Sequence, residues 1–404
     1  MVFPRYVPTM NPIGVDLRLA YDFSKGWFSG APVPIGWIYP PLERVLRLPL
    51  LIVSFPCAYA IQTVASIFAF LSVLMALPLL VCKRADRTAL ALVAMAGLLS
   101  YGFQFELERG QSNVIAVALV AWALVLFHRS SKRGTRLLAY LLFSCAIQLK
   151  LYPAVFVLGF TQDARDWRRN LIRWSALGVA NVIGLFALGM SNFQAFLASL
   201  TTAVGNSANI FNHSITSFAG MTQKLADGYT PLKYHPTEVA GLAMQVQSGI
   251  PAIWQHSVGR IVETGSLIVL ATCFGLVLAF VAWRHARSNF KYMMIMCALS
   301  AMLLPMLSFD YKLSILIMAF AFFVGESDVF VLDGWTGTLQ ASLFATVSLL
   351  LVLTLFPPEF KPIFLRSSTP MLLGMVVGFT LLMVAENAKC GQRRHLDACP
   401  DNVP

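Results

Sequence analysis

The 404-residue chain is 57% hydrophobic and only 12% charged, with a mean hydropathy of +0.70. Soluble domains carry roughly 25% charged residues, so the composition excludes an ordinary soluble domain and points to an all-α protein with many membrane spans. The net charge of +11 sits in short Lys/Arg clusters between apolar runs, as in cytoplasmic loops, which excludes a nucleic-acid-binding surface.

The first residues, "MVFPRYVPTMNPIGVDLRLAYDF", are polar and lack the apolar core of a secretory signal. Asp16 and Asp22 lie six apart, so on a helix they face different directions and do not form a shared metal pair. Tyr39, Pro40 and Pro41 fix the chain before the first apolar run, since proline suits a first helical turn.

A spanning helix needs about 20 mainly apolar residues. Such runs occur at 48–81, 88–105, 113–128, 171–190, 262–283, 291–308, 311–325, 338–356 and 370–386, which predicts about nine full spans. Placing the basic clusters "CKRADR", "HRSSKRGTR", "RDWRR", "RHARSNFK" and "KCGQRRH" in the cytoplasm gives an alternating path with one anomaly. The stretch 137–160 has basic flanks at both ends and is broken at "QLKLYP". A single pass would export one of those flanks. Two half-length helices meeting near the outer face, with Lys150 and Pro153 at the tip, resolve the conflict.

This topology predicts one membrane domain over 1–404. It has a first outside loop at 1–47, a long outside loop at 191–261 and a cytoplasmic tail at 387–404. The chain would start outside with no span to carry it there, so a further helix is expected before residue 1.

The polar features gather on the outer side. "FELERGQSN" (105–113) supplies Arg109, Gln111 and Asn113 between apolar runs. Its bland reading is a solvated hairpin, but ionisable groups at membrane depth are functional hypotheses by default. Lys150 stands beside an X-Pro break, where the bland reading is a lysine snorkelling to the interface. "FNHSITSF" brings Asn212, His213 and Ser214, groups able to hydrogen-bond a sugar or to form a surface turn. "LLPMLSFDYK" places Asp310 and Lys312 between apolar runs, where they could also pair with each other. The seven cysteines show no pairing pattern, and no metal cluster, Walker motif, GxGxxG or nucleophile elbow occurs. Neither a metal nor another cofactor is therefore expected, and a cytoplasmic nucleotide site has no support.

The order of motifs is informative. "GVDLRLAYD…IYPPL", "ERGQSNVIAVAL", "AIQLKLYPAVFVLGF…RDWRR", "FNHSITSF" and "LLPMLSFDYK" run through most of residues 14–325. In this order the chain resembles glycosyltransferase family 87, the polyprenol-phosphate-sugar-dependent enzymes that include mycobacterial mannosyltransferases. The resemblance implies a GT-C fold with a lipid-linked donor used on the outer face of a bacterial inner membrane, and a glycolipid or glycan acceptor. It implies that Asp16, in the first outside loop, is the catalytic base, and that a helix precedes it. Lys150, Arg109 and Lys312 would then hold the donor phosphate. Gln111, Asn113, Asn212, His213, Ser214, Asp310 and Tyr39 would contact sugar or acceptor. The chain departs from the family in the late loop, where Tyr311 stands in place of an expected histidine and Lys312 is the available substitute. A transporter or flippase of lipid-linked sugars would instead show polarity along a path through the bilayer. A polymerase of lipid-linked saccharides fits the motif order less well.

Overall fold

The computed structural model describes residues 13–28, 38–81, 87–162, 166–205, 213–226, 257–283, 287–305, 308, 310–317, 334–353 and 368–397. Among the described residues every regular element is helical. Helix α1 is Val15–Phe28 and α2 is Glu43–Leu46, followed by a 3-10 helix, Leu48–Ile52. Helix α3 (Phe55–Val81), α4 (Arg87–Leu98), α5 (Tyr101–Arg109), α6 (Asn113–Arg129) and α7 (Arg133–Leu149) follow. After a second 3-10 helix, Tyr152–Phe160, come α8 (Trp167–Phe186), α9 (Met190–Gly205), α10 (Ile215–Ala226) and α11 (Ser257–Trp283). The chain ends with α12 (Arg287–Leu303), a 3-10 helix at Asp310–Ile315, α13 (Gly334–Leu353) and α14 (Thr369–Asp397).

Helices long and apolar enough to cross a membrane lie at Phe55–Ala76, Ser257–Ala282 and Thr369–Ala388. Two bent pairs bring the count to as many as five: α5 with α6, at 109°, and α8 with α9, at 101°. Helix α3 shows the logic. Its residues are apolar around the whole circumference, so Val73 and Phe70 pack inward while Ile61, Val64, Phe68 and Met75 stay exposed. Exposed apolar side chains all along a helix mean that the solvent there is lipid. The protein is a helical membrane protein.

Two expected spans take another form. The run 88–105 is divided into α4 and α5 at Ser100, whose side chain caps α5 by accepting from the Phe103 amide. The run 171–190 turns sharply after Phe186 into α9. The span expected from residue 48 begins as a 3-10 helix and becomes α-helical at Phe55, with Pro56 in its first turn.

The core is built around α6 and α12. Val114, Ala116, Val117, Val120, Ala121 and Leu124 of α6 are buried, and α12 is buried continuously from Tyr292 to Leu303. The hairpin expected at 137–160 is present. Its break falls at Lys150, and the Tyr152–Phe160 limb returns along α7, with Phe160 against Tyr140 and Phe143 at ring separations of 5.8 and 4.7 Å. The returning end is fixed by His128 on the Gly159 carbonyl (2.8 Å) and by Arg173 donating to the Phe160 carbonyl (2.8 Å). Both limbs therefore open at one basic end of the bundle. The first limb is longer than half-length, because α7 starts at Arg133 and runs for 17 residues.

Candidate active site

Gly110 makes the site possible. It ends α5 in the left-handed conformation (φ 67°), which glycine adopts without steric cost. Three residues later α6 leaves at 109°. The corner presents Arg109 and Gln111 toward α1, whose first residues are pinned by the Gly14 amide donating to the Glu108 carbonyl at 2.7 Å. "FELERGQSN" is thus mostly helix, with Phe105–Arg109 inside α5, and only Gly110–Ser112 link the helices.

Asp16 lies on the inner face of α1 and Asp22 on its outer face, with side-chain exposures of 15% and 53%. Arg109 grips Asp16 with both arms of its fork: Nε donates to Oδ2 at 2.5 Å and Nη2 to Oδ1 at 2.6 Å. Gln111 Nε2 also donates to Asp16 Oδ2. The other end of the same amide, Gln111 Oε1, accepts from Lys150 Nζ at 2.5 Å and from the Tyr39 hydroxyl at 3.3 Å. The Lys150 ammonium lies over the Tyr39 ring, 3.9 Å from its centroid. Five residues from four separate stretches of sequence, Asp16, Tyr39, Arg109, Gln111 and Lys150, thus form one network. Burial, followed by the negative charge of Asp16, pushes the Tyr39 hydroxyl above the ordinary tyrosine range, so it serves as a donor.

The electrostatics of Lys150 are distinctive. Its ammonium is buried (6% exposed), and among the described residues its hydrogen bond goes to a neutral amide, with no carboxylate in ion-pair contact. Asp16 is taken by Arg109, and Glu43 is taken by Arg47 in a fully buried pair. Glu106 accepts from the Val114 amide at 2.7 Å and from Ser314 Oγ at 2.5 Å. Lys312 is also buried, 5.5 Å from the Tyr152 ring centroid, and close enough to Lys150 for the two charges to repel.

The remaining predicted residues divide. Asn113, the first residue of α6, is fully buried; its carbonyl accepts from the Tyr152 hydroxyl at 2.9 Å. His213 and Ser214 are buried in a different seam. The His213 amide donates to the Ser308 carbonyl (2.7 Å), its Nδ1 accepts from the Ser368 amide (3.2 Å), and its carbonyl accepts from Thr369 Oγ1 (2.8 Å). Asp310 opens the 3-10 helix that carries Lys312 and Ser314. The Asp310 side chain, like the whole of Asn212, falls outside the described residues. Among the described residues no group of three or more His, Cys, Asp or Glu side chains could hold a metal ion.

Sequence reasoning missed Glu43, Arg44 and Arg47. All three are buried, Arg47 reaches Ser112 Oγ at 3.4 Å, and Arg44 reaches Asn192 Oδ1 at 3.3 Å. The available signal was the spacing "ERVLR" directly after "YPPL": three charged residues on one short turn before an apolar run.

Comparison with known proteins identifies the family, over a stretch that leaves out Asp16 and Lys312. A model of glycosyltransferase family 87 matches residues 37–308, a stretch that includes Tyr39, Arg109, Gln111 and Lys150. The chain is 26% identical over 310 residues to a polyprenol-phosphate-mannose-dependent alpha-(1-2)-phosphatidylinositol mannoside mannosyltransferase of Mycolicibacterium smegmatis. That alignment covers 68% of this chain and 67% of the relative. With a family match over more than half its length, the chain belongs to glycosyltransferase family 87.

Proposed function

We propose that this glycosyltransferase moves a hexose, mannose, from a polyprenyl monophosphate donor to a hydroxyl of a glycolipid or glycan, with inversion. The relative's dependence on polyprenol-phosphate mannose supports the donor, and its phosphatidylinositol mannoside acceptor supports a lipid-anchored glycan as acceptor class. The reaction takes place on the outer face of a bacterial inner membrane, in a GT-C architecture of about nine spans. The charge map of the sequence supports that side, since putting the basic clusters in the cytoplasm leaves the Asp16 stretch outside.

The observation that carries the reading is the Gln111 amide, which holds a carboxylate at one end and, at the other, a buried cation with no ion-pair partner among the described residues. The acceptor hydroxyl gives its proton to Asp16 and attacks C1 of the sugar. The C1–O bond to phosphate breaks, and polyprenyl phosphate leaves with the bonding electrons. A general base must lie within hydrogen-bond reach of the hydroxyl, and Arg109 with Gln111 fixes the direction of the Asp16 carboxylate. Arg109, expected among the phosphate-holding cations, faces Asp16 instead and acts as its positioning residue. Lys150 and Lys312 are the cations that receive the leaving phosphate, where preorganised charge stabilises the transition state. His213 and Ser214 shape the acceptor side from the Ser308 seam.

The test is sugar transfer from polyprenyl-phosphate mannose in proteoliposomes. Asp16→Asn should abolish turnover while leaving donor binding within a few-fold. Lys150→Ala should weaken donor binding by about 10²-fold, as loss of a buried charge contact does. Wild-type turnover by Asp16→Asn would refute the base assignment, and unchanged donor affinity in Lys150→Ala would return that lysine to a packing role.

A further inference from the structure

Arg47 is buried, with its side chain 6% exposed. Its Nε is used by Glu43, and Nη2 makes only the long contact to Ser112 Oγ. Nη1 is buried and has no hydrogen-bond partner among the described residues. Next to Ser112, the Asn113 amide is fully buried, with both Nδ2 and Oδ1 unbonded among the described residues. An unmade hydrogen bond on a buried polar group costs about 1–3 kcal/mol, and more on a charged one. Among the described residues Arg47 Nη1 and Asn113 Nδ2 are unmet donors at one place, beside the unmet acceptors Asn113 Oδ1 and Glu43 Oε2, and the two donors can serve a group that accepts.

The surroundings specify what. The entry to α6 receives a side chain at each successive residue: Lys150 on Gln111, Arg47 on Ser112 and Tyr152 on the Asn113 carbonyl. Lys312 faces the Tyr152 ring. Three cations from three separate elements therefore converge there, and Lys150 is repelled by both Arg47 and Lys312. Glu43, Asp16 and Glu106 offset part of that charge, but each is already bonded, to Arg47, Arg109 and Ser314 respectively, so a further anion would be held by the donors still unmet.

We propose that Arg47 is a third phosphate-holding side chain of the donor site, its Nη1 and Asn113 Nδ2 completing the seat begun by Lys150 and Lys312. This rests on the lipid-phosphate donor reading. It also names the form of the phosphate that the seat favours. The intact donor is a phosphodiester with one negative charge. The departing polyprenyl phosphate is a monoester that carries about 1.5 to 2 charges at pH 7. Three cations suit the second better than the first, so Arg47 acts mainly on the leaving group as charge develops.

The experiment measures binding of a short-chain polyprenyl phosphate to the purified full chain, together with kcat and donor KM. Arg47→Gln alone would strand Glu43, so it is combined with Glu43→Gln, which leaves a neutral pair of similar shape. The double variant should bind polyprenyl phosphate at least tenfold more weakly and lose more in kcat than in donor KM. Glu43→Gln alone, which keeps the Arg47 charge and removes its competing carboxylate, should bind polyprenyl phosphate at least as tightly as the parent. Arg47→Lys retains the charge and the Glu43 pair but loses the Nη1 arm, and should weaken binding at least threefold. Parental affinity in the folded double variant, or in Arg47→Lys should the double variant not fold, would overturn the assignment. Failure of the parent itself to bind polyprenyl phosphate would instead remove the donor reading, and the role of Arg47 with it.

Discussion

Replacing Gly110 by alanine tests whether the corner between α5 and α6 sets the catalytic geometry. The residue sits at φ 67°, a conformation that costs an L-residue roughly 1–2 kcal/mol. A Cβ there would lie 2.6 Å from the Cβ of Leu17, whereas ordinary contact begins at 3.4 Å. Neither atom is the end of a flexible side chain, so relief requires α1 itself to move away from the corner. Leu17 follows Asp16 directly, so the carboxylate must shift by most of an ångström relative to Arg109 and Gln111. A displacement near 1 Å at reacting groups costs on the order of 10²-fold in rate. We therefore expect Gly110→Ala to fold, with stability lowered by about 1–2 kcal/mol, and to transfer sugar about 10²-fold more slowly in proteoliposomes. Gly134→Ala is the control: a Cβ there meets nothing within 4 Å, and its turnover should match the parent. Parental turnover by Gly110→Ala with an unchanged unfolding temperature would refute the claim that Leu17 packing on Gly110 places Asp16.

Further outcomes follow from the same geometry. Glu106→Ala removes an acceptor for both the Val114 amide and Ser314 Oγ, the latter two residues from Lys312. It should lower stability by about 3 kcal/mol and raise donor KM, with denaturant unfolding and steady-state kinetics as the measurements. Arg109→Lys keeps a charge but loses the fork that meets both Asp16 oxygens; kcat should fall at least tenfold with donor affinity nearly unchanged. Tyr39 has its ionisation pushed above the ordinary value near 10. The folded state therefore keeps that proton where the unfolded chain releases it, and stability falls as pH rises past about 10. Tyr39→Phe should lose less of its unfolding temperature than the parent between pH 9 and pH 11.

The helical membrane class was legible because apolar runs and basic clusters report the solvent on each side of the chain. The break at Lys150 was legible for the same reason: "SSKRGTR" and "RDWRR" demand the same side, and the Phe160 contacts to Tyr140 and Phe143 show the chain returning. Grouping Asp16, Arg109, Gln111 and Lys150 followed from the expected topology plus the order of motifs, and the structure brings the four together. The helical nature of "FELER" was obscured by its polarity, which reads as a loop in isolation. Its Glu106 is satisfied by Ser314, 208 residues away, and no local pattern carries that pairing. Ser100 was equally hidden, since an N-cap serine inside a continuous apolar run looks like any small residue. Glu43 and Arg47, four apart, have the spacing of a solvated surface pair, yet tertiary packing buries them completely.

The assignment of cations shows most clearly what only the structure supplies. Arg109, Lys150 and Lys312 looked equivalent in the sequence, as positive charges on one side of the membrane. Side-chain chemistry separates them. A guanidinium presents a rigid planar fork that matches the two oxygens of a carboxylate, and Arg109 is matched to Asp16 in that way. An ammonium is a compact point charge with three donors, suited to a tetrahedral phosphate whose oxygens change partners as a bond breaks. If Arg109 were turned from Asp16 toward a phosphate, the carboxylate would lose its orientation, with Lys150 facing it across Gln111. Pairing those two would occupy the proposed base and remove the charge proposed to hold the phosphate in one step. The Arg109–Asp16 pair therefore keeps the two halves of the site apart, and Gln111, neutral and bonded to both, fixes how far apart they stand.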